Sequence, residues 1–225
     1  MRGDSIICAV SPTVPRTLVP EILDSLPPDD PAALRSRRDL RLINALMGNQ
    51  RWASRAIQAH LDSNASVVEV GAGEGQLCQR LQVAGYRVTG CDLAPRPAEL
   101  AVSIDWRQGD LFAELPALSA NAIVANLIVH HFEDGQLAKL GAALPDECSV
   151  IVACEPHRSL WAKMLAYSLF ALVNHVTRHD MIVSITAGFQ RGELARMMEL
   201  GNEWQVSESV TFRGALRFVA FRNTK

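Results

Sequence analysis

The chain has 225 residues, of which 48% are hydrophobic and 20% are charged, and its formal net charge is −2. This length and composition predict one ordinary globular domain with extensions, and they exclude a disordered chain, a collagen-like repeat and a disulfide-stapled miniprotein. The near balance of 22 basic and 24 acidic residues argues against a protein that wraps nucleic acid by bulk charge.

Cysteine usage and apolar segments bear on the compartment. The cysteines are odd in number and scattered without a C-x-x-C pair, so they indicate neither a zinc site nor a disulfide framework: Cys8, Cys78, Cys91, Cys148 and Cys154. The apolar run Ile6 to Val10 is too short for a secretion signal. Met164 to Val173 has about half of the ~20 apolar residues that a membrane span needs. We therefore expect a soluble, cytoplasmic protein with free thiols and no transmembrane segment.

The first sixty or so residues predict helices. Asp30 followed by Pro31 is typical of a helix N-terminus, because aspartate caps the first turn and proline is tolerated at the first helical position. Helices are predicted over residues 31–47 and 51–61. We interpret residues 1–62 as an N-terminal extension and helical cap, and residues 63–225 as the main domain.

From Ser66 onward, short apolar runs alternate with helical stretches. Strands are predicted over residues 66–70, 86–91, 103–108, 121–126 and 149–154, with helices between them, notably over 76–84 and 134–144. Because strand–helix–strand units are right-handed and make their strands parallel, this alternation predicts an α/β fold. The expected architecture is a doubly wound, mostly parallel sheet with helices on both faces.

After the fifth strand the alternation stops. Residues 159–176 and 192–200 predict helices, which we interpret as a helical insertion at about residues 157–200. His179 and Asp180, within this insertion, are expected to lie in a turn before a strand. Two strand-like runs close the chain at residues 204–212 and 215–221. Only two residues separate these runs, which predicts a hairpin with at least one antiparallel strand.

A glycine-rich turn, Glu69-Val70-Gly71-Ala72-Gly73-Glu74-Gly75, is the strongest chemical signal and lies between the first strand and the next helix. Glycines there allow a tight turn and close approach of a ligand. Asp92 ends the second strand, where a carboxylate can accept hydrogen bonds from both hydroxyls of an adenosine ribose. Gln76 replaces the third glycine of a dinucleotide fingerprint, and no Gly-Lys-Ser/Thr follows, which excludes a P-loop.

The charges beside this turn suit a cationic ligand. A diphosphate would need several free amides at a helix N-terminus. A ligand that carries a sulfonium and an ammonium gains instead from nearby carboxylates, and Glu69 and Glu74 are available.

These motifs resemble the class I S-adenosylmethionine-dependent methyltransferases over roughly residues 60–155. Asn126-Leu127-Ile128-Val129-His130-His131-Phe132 is similar to the loop beneath the sulfonium in small-molecule enzymes of the ubiquinone-biosynthesis type, and Gly109-Asp110-Leu111 to the segment that contacts adenine. The resemblance implies a Rossmann-like seven-stranded methyltransferase fold with an antiparallel C-terminal hairpin, and S-adenosylmethionine as cofactor. It implies these cofactor-binding residues: Glu69, Gly71, Ala72, Gly73, Gly75, Asp92, Leu93, Asp110, Leu111, Asn126 and Leu127.

Histidines supply the candidates for a catalytic base. Methyl transfer to oxygen usually needs a group that removes the acceptor proton, and an imidazole with a pKa near ~6.5 suits that role. His130, His131 and His157 follow predicted strands at the edge of the sheet where ligands collect. We predict that His131 or His157 is the catalytic base. Metal-dependent catechol enzymes carry an acidic cluster after strands four and five, and Glu155 alone does not make one, so no catalytic metal is expected.

We expect methyl transfer to a small-molecule acceptor, at an oxygen of an apolar or aromatic metabolite. Trp161, Tyr167 and Phe170 in the predicted insertion suit such an acceptor, although a core helix or a dimer helix fits the same pattern. The alternatives are a methyltransferase for RNA or protein, and a non-catalytic S-adenosylmethionine-binding module. The net charge disfavours nucleic acid, and both a monomer and a homodimer stay open.

Overall fold

The computed structural model describes residues 15–27 and 29–222, so Cys8 and the run from Ile6 to Val10 lie outside the described residues. The strands are β1 (Ser66–Val70), β2 (Arg87–Asp92), β3 (Asp105–Gln108), β4 (Ala122–Asn126), β5 (Val150–Pro156), β6 (Gln205–Val210) and β7 (Ala215–Phe221). The α-helices are α1 (Ile22–Ser25), α2 (Pro31–Met47), α3 (Asn49–His60), α4 (Gln76–Val83), α5 (Leu111–Glu114), α6 (Asp134–Ala142), α7 (Leu160–Ser168), α8 (His175–Ala187) and α9 (Glu193–Met197).

The seven strands form one sheet in the order β3-β2-β1-β4-β5-β7-β6. The first five strands are mutually parallel, whereas β7 runs antiparallel to both β5 and β6. Reversal of strand order between β1 and β4 places their carboxyl ends at a switch point, where open α/β sheets bind ligands. The predicted α/β fold class and the predicted terminal hairpin are confirmed.

Alternating side chains of the central strands build one core on each face of the sheet. On one face, Val67 and Val124 pack with Ile57 of α3 and Leu77 of α4. On the other face the core combines residues of the sheet with residues of α6 and α9: Val68, Val70, Ile123, Ala125, Ile151, Leu137, Leu140 and Leu194. Two-sided burial explains why these strands are almost continuously apolar in sequence.

The N-terminal helices begin where the sequence predicts. Asp30 caps α2 by accepting hydrogen bonds from the amides of Ala32 and Ala33, and Pro31 occupies the first helical position. Gly48, with φ of +68°, ends α2 and starts α3. No helix among the described residues is long and apolar enough to cross a bilayer.

Two expectations about the insertion are wrong. The single helix predicted over residues 159–176 is two helices, α7 and α8, because the chain turns at residues 169–174 and Asn174 caps a new helix by accepting from the Thr177 amide at 2.8 Å. His179 and Asp180 lie within α8 rather than in a turn before a strand. The apolar spacing continued through the turn, which hid the break from a periodicity argument.

Candidate active site

A cavity of about 720 Å³ opens at the carboxyl ends of β1 and β4. Its floor is the glycine-rich turn together with the chain after β4. Its far wall consists of apolar side chains from α7 and α8, namely Leu165, Leu169, Met181 and Ile185. The cavity therefore extends from the carboxyl edge of the sheet to an apolar wall formed by residues of α2, α7 and α8.

The glycine turn leaves room for a ligand at one position and closes tightly at another. Gly71 has φ of +64°, and a Cβ there would overlap the side chain of Ile128, so a larger residue does not fit. Gly73 has φ of +54°, and its Cβ would meet nothing within 4 Å. The Gly73 amide donates to Asp92 Oδ2 at 2.7 Å, and Asp92 Oδ1 accepts from the Ala94 amide at 2.8 Å.

The structure brings seven predicted site residues to the cavity wall: Glu69, Gly71, Ala72, Gly73, Asn126, Leu127 and His131. Asp92 does not line the cavity but is bonded to Gly73, which does. Leu93 is 77% exposed beside it. Asp110 caps α5 by accepting from the Phe112 amide at 3.0 Å. Gly75, which caps α4, and Leu111, the first residue of α5, do not line the cavity either.

The end of β4 carries two local irregularities that face the cavity. The side-chain oxygen of Asn126 is buried and has no hydrogen-bond partner within the described part of the chain. Leu127 adopts φ of +59°, a left-handed conformation that non-glycine residues rarely hold unless the surroundings impose it. An unpaired buried oxygen and a strained backbone at one cavity wall are the features expected of a ligand site.

Glu69 is a buried carboxyl group at the cavity floor. Burial raises the pKa of Glu69 to about 8, although the Sγ of Cys78 donates to its Oε2 at 2.9 Å. A pKa of about 8 favours the neutral, protonated side chain at pH 7. A cation placed beside it would favour the charged form, so Glu69 can respond to a sulfonium or an ammonium group.

A buried glutamate–histidine pair lies at the cavity, with His130 on the wall and Glu155 behind it. His130 Nδ1 lies 2.6 Å from Glu155 Oε2. Glu155 also accepts from the amides of Ile128, Val129 and His130, at 3.0, 3.1 and 3.3 Å. Burial opposes protonation of His130, but its contacts with Glu155 and Glu21 outweigh burial and raise its pKa to about 9. Both residues are recognisable in the sequence, but their pairing follows only from the adjacency of β4 and β5: His130 follows β4, and Glu155 lies near the end of β5.

The two predicted catalytic histidines lie in different surroundings. His131 lines the cavity, its side chain is 31% exposed, and burial and the charge of His130 lower its pKa. His157 is absent from the cavity wall and donates its backbone amide to Gly214 at 2.9 Å. Burial and the nearby charges of Arg191 and Arg158 lower the pKa of His157.

An N-terminal segment, residues 15–26, lies over the acceptor side of the cavity. Arg16 donates to the carbonyl oxygens of His130 and Phe132, at 2.8 and 2.7 Å. The amides of Ile22 and Leu23 donate to the carboxylate of Asp180 on α8. Glu21, on this segment, lines the cavity and is itself a residue that sequence reasoning missed. No motif marks Glu21, because its position depends on contacts with residues more than a hundred positions away.

A family model described as a methyltransferase domain matches residues 38–199. The chain belongs to this methyltransferase family. It is an S-adenosylmethionine-dependent methyltransferase, as the glycine turn and the acidic end of β2 predict. No curated protein sequence matches the chain.

Solved structures with the same fold include several methyltransferases. The plantazolicin methyltransferase BamL, in complex with a triazolic desmethylPZN analog and SAH, has a TM-score of 0.70 at 12% identity, covering 90% of this chain and 93% of that one. Human N-acetylserotonin methyltransferase in complex with SAM has a TM-score of 0.55 at 18% identity, covering 89% and 61%. A TehB-like SAM-dependent methyltransferase from Corynebacterium glutamicum has a TM-score of 0.55 at 17% identity, covering 85% and 99%. The first two of these structures hold SAH and SAM, which agrees with the predicted S-adenosylmethionine cofactor.

Proposed function

We propose that this methyltransferase acts on a small molecule and transfers the methyl group to an oxygen of an apolar or aromatic metabolite. The observation that carries the proposal is the shape of the single cavity, which runs from the glycine turn to the apolar wall of Leu165, Leu169 and Ile185. An acceptor held against that wall would face the cofactor position across a short gap, which is the alignment that a displacement reaction needs.

S-adenosylmethionine, when bound, supplies an electrophilic methyl group on a sulfonium. The residues present fit such a ligand, since the space at Gly73 is open and the buried oxygen of Asn126 lacks a partner. We assign cofactor contacts to the glycine turn from Gly71 to Gly75, with the carboxylate of Asp92 for the ribose hydroxyls. We further assign Glu69 and Leu127 to the methionine side, and Leu93, Asp110 and Leu111 to the adenine side.

His131 is our candidate for the group that takes the acceptor proton. It lines the cavity and its lowered pKa favours a neutral imidazole near pH 7, which is the form that can accept a proton. His157 is the weaker of the two predicted bases, because its side chain does not reach the wall of the cavity.

The proposal is tested by supplying methyl-labelled S-adenosylmethionine with phenols, hydroxyquinones, carboxylates and RNA in parallel. We expect label in an apolar hydroxylated acceptor and none in RNA, with Gly73→Arg as the inactive control. Transfer to RNA with a steep salt dependence would instead support the nucleic-acid alternative. Cofactor binding without transfer to any acceptor class would favour a non-catalytic module.

A further inference from the structure

Three potential metal ligands from distant parts of the chain meet at the acceptor side of the cavity. Glu21 Oε1 lies 3.7 Å from His130 Nε2 and 3.9 Å from His131 Nε2. One ligand atom from each of these three residues falls within 4.8 Å of the other two. We propose that Glu21, His130 and His131 form a binding site for a divalent transition metal ion, with Zn²⁺ as its best match.

The donor set selects the kind of ion. Two imidazoles and one carboxylate are ligands that zinc uses in sites with three protein ligands and an open position. Imidazole nitrogen suits zinc and its neighbours, whereas Mg²⁺ prefers oxygen ligands and keeps its waters. Bonds of about 2.0–2.2 Å put neighbouring ligands of a tetrahedral zinc ion roughly 3.3–3.6 Å apart. Two of the three separations, 3.7 and 3.9 Å, would therefore need to shorten by a few tenths of an ångström, and the third, which lies within 4.8 Å, by up to about 1.5 Å.

The surroundings of His130 already orient it for this role. Its Nδ1 is bonded to Glu155, and a carboxylate on the far nitrogen of a metal-binding histidine fixes the ring and strengthens the ligand. Its Nε2 is buried, lies 3.7 Å from Glu21 Oε1, and has no hydrogen-bond partner among the residues that the structure describes. Because the raised pKa of about 9 keeps a proton on this imidazole at neutral pH, zinc would displace that proton when it binds. Asp24 Oδ2 lies 4.0 Å from His131 Nδ1, which is beyond hydrogen-bond distance, so the second imidazole is not oriented by a carboxylate in this way.

The site would link the N-terminal segment to the chain after β4. Glu21 also accepts a hydrogen bond from Ser184 on α8, so the position of its carboxylate at the cavity wall does not depend on a bound ion. An ion at this place would hold residues 15–26 across the acceptor side. With zinc bound, His131 serves as a ligand rather than as a base. The inference rests on the proposed function only in calling this the acceptor side, and it departs from the expectation of no catalytic metal.

The test is a calorimetric titration of the full chain with zinc chloride, after treatment with a chelator and without S-adenosylmethionine. We expect one zinc ion per chain and no comparable binding of Mg²⁺. Glu21→Gln and His131→Gln should each weaken zinc binding by about 10–100-fold or more. His60→Gln and His175→Gln remove exposed histidines outside the triad and should leave the affinity unchanged.

Two results would overturn the proposal: no saturable zinc binding by the wild type, or unchanged binding in both triad variants. Retained S-adenosylmethionine binding by each variant shows that it is folded. If a variant loses its fold, Co²⁺ bound to the wild type gives the second measurement, since its visible spectrum should indicate nitrogen ligation. A spectrum of fully hydrated Co²⁺ contradicts the site. A failed acceptor screen would count against the proposed function and leave the zinc result standing.

Discussion

The backbone amide of Gly73 donates to the carboxylate of Asp92 over 2.7 Å, which joins the turn after β1 to the end of β2. This bond fixes the turn with its open side toward the cavity. It also leaves lone pairs on the carboxylate for a further donor, as a ribose hydroxyl would be. If the cofactor binds as proposed, its position depends on a backbone group after β1 and a side chain at the end of β2, two neighbouring parallel strands.

Substitutions at these two residues should affect cofactor affinity differently. Gly73→Arg places a long side chain in the cavity and should abolish S-adenosylmethionine binding, whereas Asp92→Ala should weaken it by about 1.5–3 kcal/mol through loss of a charged hydrogen-bond acceptor. Calorimetric titration measures both. Gly192→Arg is the matched control, because Gly192 also has positive φ and open space but lies away from the cavity. Equal loss of binding in the control would mean that strain, and not blockage, is responsible.

The buried carboxyl group of Glu69 should make the free energy of unfolding depend on pH. Its pKa is about 8 in the folded protein against an ordinary value of 4.5, so between these pH values the folded state retains a proton that the unfolded state has lost. Stability should therefore fall as pH rises from 4.5 through 8. Glu69→Gln removes this dependence and should be more stable than wild type at pH 7, by on the order of 2–3 kcal/mol.

Urea unfolding at a series of pH values measures this difference between Glu69→Gln and wild type. The exposed Glu203 provides the control, since Glu203→Gln should track the wild type at every pH. Glu69 should release its proton to solvent when S-adenosylmethionine binds, because a bound cation favours the ionised form of Glu69. Calorimetry in buffers of different ionisation enthalpy should then detect proton release near pH 7, and release that persists in Glu69→Gln would contradict this assignment.

Substitutions of the two histidines predicted as bases should affect the rate of a single turnover differently. In a buffer with chelator and saturating S-adenosylmethionine, His131→Ala should slow methyl transfer by about 100-fold, in the usual range for general base catalysis. His157→Ala should slow it less, since His157 does not line the cavity. Because the pKa of His131 is lowered, the wild-type rate should stay constant down to a lower pH than an ordinary histidine base would allow, and fall below it. Equal rates for wild type and His131→Ala would remove His131 from the mechanism.

The sequence was most informative where local chemistry decides structure. β-branched runs predicted β1 and β5, and the Asp30-Pro31 pair predicted the start of α2. The glycine turn, which we predicted to bind a ligand, lies at the cavity wall. The break between α7 and α8 was not predictable from spacing, because Leu169 and Leu172 preserve the apolar period through the turn. Asn174, a good helix cap, was the signal that could have revealed it.

The acceptor side of the cavity was harder to predict than the cofactor side. Glu21 reaches His130 through a segment that is positioned by Asp180 and Ser184, far away in sequence. Such a contact has no local pattern, since it forms only when α8 packs beside the chain after β4. The pairing of Glu155 with His130 was easier to predict from the sequence than the contact of Glu21, because the carboxyl ends of neighbouring parallel strands meet at one edge of the sheet.

Arg16 should be the principal anchor of the N-terminal segment. Its side chain is 5% exposed and donates to three backbone carbonyl oxygens, those of His130, Phe132 and Ala187, so Arg16→Ala leaves all three without that donor. We expect a loss of about 1–3 kcal/mol in the free energy of unfolding. Hydrogen exchange across residues 15–26 should also accelerate, because the segment then opens more easily from the cavity.

A variant of Asp134 separates the contribution of the Arg16–Asp134 ion pair from that of the hydrogen bonds between Arg16 and the backbone carbonyl oxygens. Asp134 is 71% exposed, and an exposed pair contributes little, so Asp134→Ala should cost at most about 1 kcal/mol and leave the exchange of the segment nearly unchanged. Denaturant unfolding and hydrogen exchange of the two variants, measured side by side, check the difference. If Asp134→Ala matched Arg16→Ala in both measurements, the salt bridge and not the carbonyl bonds would hold the segment over the cavity.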